Sequence, residues 1–217
     1  MAGFDAASVA ESLQRVRDRI AAAGGDDSVA VLAVTKGFGA EAIEAALAAG
    51  CTSIGENYAQ ELLAKRDAAA KGELHFIGQL QTNKVRQVAG LVDVYETVDR
   101  ERLANEIARR DPGARVLVQV DTTGEPGKGG APLAGIDGLV AAVRAAGLDL
   151  RGLMTVGPTE GGPEAARAGF RAVRAAVDRL GLSMCSMGMT DDLEVAVQEG
   201  STQIRLGTAL FGPRPKP

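Results

Sequence analysis

Eight short strand-like runs recur along the chain, and the first seven are each followed by a stretch that reads as a helix. This alternation limits the possible folds more than any single motif. The runs are Val29–Val34, Thr52–Gly55, Leu74–Gly78, Val92–Val98, Val116–Val120, Leu150–Val156, Leu182–Ser186 and Gln203–Leu206. The first, Val29-Ala30-Val31-Leu32-Ala33-Val34, has no polar alternation, as expected of a parallel strand covered on both faces. Helices are predicted over Glu41–Ala49, from the Glu56-Asn57-Tyr58 turn to about Lys71, and after Gln79–Lys84. Further helices are predicted after an Asp99 N-cap, over Ile136–Ala146, from Pro163 along Ala166, Phe170, Val173 and Val177 to Gly181, and over Asp191–Glu199. A helix over Asp5–Ala23, with Val9, Leu13, Val16 and Ile20 in register, precedes the first strand and is placed as a cap on the bottom of the fold. Strictly alternating units imply a parallel sheet with right-handed crossovers, and eight of them close into a (β/α)8 barrel of the TIM type. An open doubly wound sheet is the alternative.

No linker or composition break divides the chain, so residues 1–217 read as one domain, and 217 residues suit a barrel of ~200–250. Aromatics make up only 3% and Trp is missing, so Ala, Val, Leu and Ile must fill the core. The tail Phe211–Pro217 is too rich in proline to continue a helix or strand and reads as a surface strap. A net charge of −4 and a pI near 5.2 argue against nucleic acid as the main partner. Cys51 and Cys185 have no metal-ligand spacing and no CxxC, and read as reduced, buried thiols. No secretory signal and no apolar run near ~18 residues is present, so a cytoplasmic protein with no membrane span is expected.

Lys36 ends the first strand, after Thr35 and before Gly37. Alone, such a lysine is more often a side chain reaching back to water than a functional group. Held in a site, desolvation would lower its pKa and make the amine a usable nucleophile. Barrel sites lie at the C-terminal ends of strands, and phosphate is commonly held by the loops after strands seven and eight. Those loops here are Ser186-Met187-Gly188-Met189-Thr190 and Arg205-Leu206-Gly207-Thr208, each joining a glycine to hydroxyls at a helix start. Closure of the barrel sets strand one beside strand eight, so Lys36 shares a pocket with Arg205. A lysine amine beside a phosphate site suits a Schiff base to a phosphorylated aldehyde, and a Schiff-base lyase acting on a phosphorylated substrate is one form of that chemistry. Gly127-Lys128 lacks the upstream glycine spacing and the following hydroxyl of a P-loop. His75 is the only histidine and reads as a structural strand-end residue.

Six segments carry a specific resemblance: Ala33–Lys36, Ile54–Glu61, His75–Lys84, Gly152–Thr155, Ser186–Asp192 and Arg205–Thr208. In order and in register, they resemble the pyridoxal phosphate homeostasis protein family, whose fold is similar to the N-terminal domain of alanine racemase. The resemblance implies that Lys36 carries pyridoxal 5′-phosphate (PLP) as a Schiff base. It also implies that Ser186, Gly188, Gly207 and Thr208 hold the phosphate, that Arg205 faces the pyridine nitrogen, and that Asn57 neighbours the ring. Asp121 stands where the family usually has Asn, and Thr190 replaces a serine with its hydroxyl kept. Arg205 cannot practically give up a proton, so it would pair with an unprotonated ring nitrogen and leave the ring a poor electron sink. Racemases of this class take a second base, a tyrosine, from an appended domain, and the chain stops after strand eight. The expectation is therefore a PLP-holding protein of vitamin B6 homeostasis with little or no catalysis. It would be a monomer, with PLP-requiring apo-enzymes as candidate partners. The alternative is a single-domain PLP-dependent racemase.

Overall fold

In the computed structural model, which describes residues 4–214, the predicted runs become β1 (Ala30–Val34), β2 (Ser53–Glu56), β3 (Glu73–Phe76), β4 (Val94–Val98), β5 (Arg115–Asp121), β7 (Asp149–Thr155), β8 (Met184–Ser186) and β9 (Gln203–Leu206). They pair in parallel in the order β4-β3-β2-β1-β9-β8-β7-β5, and β4 also pairs with β5, which closes an 8-strand barrel. The open sheet is thereby excluded. The polar loop after β5 contains an unpredicted two-residue strand, β6 (Ala131–Pro132), attached to the end of β5.

Helices α2 (Ala40–Ala48), α3 (Ala59–Ala69), α4 (Val85–Val88), α5 (Glu101–Arg110), α6 (Ile136–Ala145), α7 (Arg167–Arg179), α8 (Leu193–Gln198) and α9 (Thr208–Phe211) follow the barrel strands. The helix expected after Gln79–Lys84 amounts to a 3-10 turn and the single turn α4. Asp99 does not cap α5: Arg100 holds that position without a side-chain cap bond, and Asp99 pairs with the Arg100 guanidinium instead. Leu103 and Ile107 are buried on α5 as predicted.

The N-terminal helix α1 (Ala6–Ala22) does not cap the bottom. It packs against α2, α8 and α9, in the gap left because α9 is only one turn long. Its start lies at the C-terminal end of β1, where Phe4 meets Phe38 edge-on with centroids 5.1 Å apart. Near its other end Arg17 donates to the carbonyl of Val29 at 2.6 Å, so it runs antiparallel to β1. Val9, Val16 and Ile20 are the buried stripe that drives this docking.

Val31, Ala33, Ile54, Val116 and Val118 face the helices in the main hydrophobic core. Inside the barrel the apolar cluster is small: Val94, Leu117 and Met154. The rest of the interior includes buried polar groups, among them His75, Glu96, Ser186, Gln203 and Arg205.

Candidate functional site

A cavity of about 320 Å³ opens at the C-terminal ends of the strands, lined by Lys36, Asn57, Ile77, Met154, Val156, the Met189–Asp191 loop, Arg205, Gly207, Thr208 and Arg214. Its size is that of a small-molecule site. Lys36, Asn57, Arg205, Gly207 and Thr208 were all predicted from the sequence to belong together, and the barrel brings them to one wall. Ser186 and Gly188 are not among the lining residues. Ser186 ends β8 with its side chain inside the barrel, where its hydroxyl donates to Glu96 at 2.7 Å and accepts from Arg205 at 2.8 Å. Gly188 packs on α8, where an added Cβ would fall 2.4 Å from that of Ala196. Thr190 supplies the hydroxyl at the cavity instead. Strand alternation sends successive side chains of β8 to opposite faces, so with the buried Cys185 in the outer core Ser186 points into the barrel.

Lys36 sits on a turn that is fixed from behind. Phe38 N–H closes it onto Thr35 C=O at 3.1 Å, and Gly37 adopts φ +76°, which a side chain would strain. Lys65 on α3 donates to the carbonyls of Thr35 and Phe38 at 3.0 and 3.1 Å, and Glu61 accepts the Gly37 N–H at 2.8 Å. Lys65 is itself buried against Glu56, Nζ to Oε1 at 2.5 Å, and Thr35 donates its hydroxyl to the same oxygen at 2.6 Å. Burial outweighs these partners and pushes the Glu56 carboxyl above its usual range.

Burial, with the nearby charges of Arg214 and Arg205, lowers the Lys36 pKa against the opposing pull of Glu61 and Glu56. The amine thus loses its proton more readily than an exposed lysine does, which is what a nucleophilic amine needs. Arg214 reached this wall unannounced: the tail predicted as a strap brings it over Gly37, and residues 215–217 lie outside the described residues.

Arg205 is buried and aimed by two bonds, Nη1 to Ser186 Oγ at 2.8 Å and Nη2 to the Thr155 carbonyl at 2.7 Å. A guanidinium has five N–H donors, so capacity remains for an acceptor in the cavity. Burial lowers its pKa, and Glu96 and Asp192 oppose that shift. Asn57 Oδ1 is buried without a hydrogen-bond partner among the described residues. The chain approaches itself closely here, because a Cβ on Gly78 would lie 2.0 Å from the Asn57 carbonyl oxygen.

The family description "alanine racemase, N-terminal domain" matches residues 4–215. A Pseudomonas aeruginosa relative named pyridoxal phosphate homeostasis protein is 39% identical over 219 residues, covering 96% of this chain and 95% of its own. The chain belongs to the pyridoxal phosphate homeostasis protein family. An Escherichia coli member of that name is also 39% identical, over 95% of this chain and 97% of its own. Among solved structures, PipY of Synechococcus elongatus with PLP bound superposes with a TM-score of 0.83 at 30% identity, covering 94% of this chain and 100% of that one. A Bacillus anthracis alanine racemase matches 98% of this chain and 57% of its own, with a TM-score of 0.74 at 17% identity, which is a likeness of fold.

Proposed function

We propose that this chain holds PLP, covalently and reversibly, on Lys36, and serves the homeostasis of that cofactor. When bound, PLP supplies an aldehyde that condenses with a primary amine, releasing one water, together with a pyridine ring and a phosphate. The residues at the cavity fit those three parts. Lys36 offers an amine with a lowered pKa. Thr190 and Thr208 offer hydroxyls, and Gly207 lets backbone approach a phosphate. Arg205 keeps donors free for a ring acceptor, and the unpartnered Asn57 Oδ1 is an acceptor in want of a ligand. The observation that carries the reading is the lysine with a depressed pKa on the same wall as an aimed arginine, in a chain whose relatives bear this name.

These residues also support holding over turnover. Among the described residues no tyrosine lines the cavity: Tyr95 is buried and donates to Asp111 at 2.9 Å, and Tyr58 is exposed. An arginine at the ring nitrogen favours an unprotonated ring, which withdraws electrons weakly.

The test is to incubate purified protein with PLP, reduce with borohydride, and map the modified peptide by mass. A pyridoxyl group on Lys36 is expected. Protein left unmodified, or modified only elsewhere, would overturn the assignment.

A further inference from the structure

Beneath the cavity a row of buried polar groups crosses the barrel, and the reading above uses only its last member, Arg205. Glu96 on β4 is fully buried, and its Oε1 meets His75 Nδ1 at 2.5 Å and accepts from Gln203 Nε2 at 2.7 Å. Its Oε2 accepts the Ser186 hydroxyl at 2.7 Å, and that hydroxyl oxygen accepts from Arg205 at 2.8 Å. On the other side His75 Nε2 meets Glu73 Oε2 at 3.0 Å, and Arg115 donates to Glu73 Oε1 at 2.5 Å. Both ring nitrogens of His75 therefore face carboxylates, an arrangement only the doubly protonated ring satisfies. Charges alternate along the row: Glu73 negative, His75 positive, Glu96 negative, Arg205 positive. His75, Glu96 and Arg205 are buried, so each of these charges depends on its neighbours for compensation, while Glu73 at the rim is partly exposed.

We propose that His75 and Glu96 are positioning residues that fix the Arg205 guanidinium through Ser186, so that PLP occupancy and His75 protonation are coupled. The inference rests on the PLP reading. Ser186 is the link, because its one hydrogen goes to Glu96 while its oxygen accepts from Arg205 and, at 2.9 Å, from Gln203 Nε2. Neutralising His75 would leave Glu96 with the neutral donors Ser186 and Gln203 and with Arg205 as the nearest remaining positive charge, and the guanidinium would be drawn inward toward Glu96. A bound phosphate adds negative charge above the row, which favours the protonated array. Cofactor binding therefore raises the His75 pKa, and by linkage PLP is held more weakly once His75 loses its proton. The other charged groups facing this row are Asp93, which pairs with Arg115 at 3.7 Å, and Asp192 and Lys36, whose charges couple to Arg205. Burial opposes charge on His75, but Glu73 and Glu96 overcome it and hold its pKa up at about 9.

The chain has a single histidine, so untagged full-length protein labelled with ¹⁵N-histidine gives one imidazole to follow by NMR. Both ring nitrogens are expected to be protonated at neutral pH, and the midpoint is expected to rise on loading with PLP. A rise of about 0.3 pH units corresponds to a roughly twofold change in PLP affinity across the titration. A neutral ring at neutral pH, or superimposable titrations with and without PLP, would overturn the coupling. Failure of the wild-type protein to take up PLP would overturn the cofactor reading and the coupling together; uptake with superimposable titrations overturns the coupling alone. H75Q and E96Q are expected to release PLP about tenfold faster, equivalent to ~1.4 kcal/mol. The wild type is expected to release PLP faster as the pH rises through about 9, and H75Q to lose that rise; an unchanged pH profile would refute the role of His75. The wild-type NMR experiment decides the matter even if both variants fold poorly.

Discussion

The turn that carries Lys36 is held in place by other residues. The Lys65 ammonium spans two carbonyls of that turn and a buried carboxylate, so K65M is expected to strand Glu56 and lower stability by about 3 kcal/mol, read by urea denaturation. Gly78 has no room for a methyl group. G78A is expected to displace Asn57 and weaken PLP retention about tenfold, or ~1.4 kcal/mol, measured by equilibrium dialysis. His75 makes a pH prediction. Its folded pKa, about 9, lies above the ordinary value of 6.5, so its contribution is complete below pH ~6.5 and drains away as the pH rises to about 9. Stability measured by urea at pH 6.5 and at pH 9.5 should differ by on the order of 3 kcal/mol, with a smaller difference in H75Q.

At the scale of elements, the strands were legible because apolar runs flanked by glycine suit a covered parallel strand, and all eight appear close to where the runs lie. The position of α1 was not legible. Its spacing of Val9, Val16 and Ile20 announces a buried stripe without saying which surface receives it, and the short α9 that creates the vacancy lies at the other end of the chain. I20A is expected to cost about 3 kcal/mol in thermal or urea unfolding, because Ile20 packs into a filled seam beside Gly25 and Val197. Within the site, Lys36, Arg205, Gly207 and Thr208 were legible as strand-end groups, and Asn57 through the family resemblance. Ser186 looked like a phosphate ligand because a hydroxyl next to a glycine fits that role on paper; inside the barrel it serves Glu96 and Arg205. His75 and Glu96 carried a signal in being ionisable residues within strand runs, but only the register of a closed barrel brings β3, β4 and β8 to one interior layer.

For the molecule as a whole, the polar row inside the barrel links the far rim, where Arg115 and Glu73 meet, to the cavity wall at Arg205. The barrel is closed beside Lys36 by β1 pairing with β9, and Phe4 packs on Phe38 and Phe211, so the first and last described segments complete the cavity together. This order has a consequence for biosynthesis. A ribosome delivers Lys36 early and Arg205, Gly207 and Thr208 near the end, so for most of translation the lysine amine stands in open water with no wall to receive a ligand. On the proposed reading, loading would wait for the residues of β9 and the turn after it, and a nascent polypeptide would gain no help in folding from PLP.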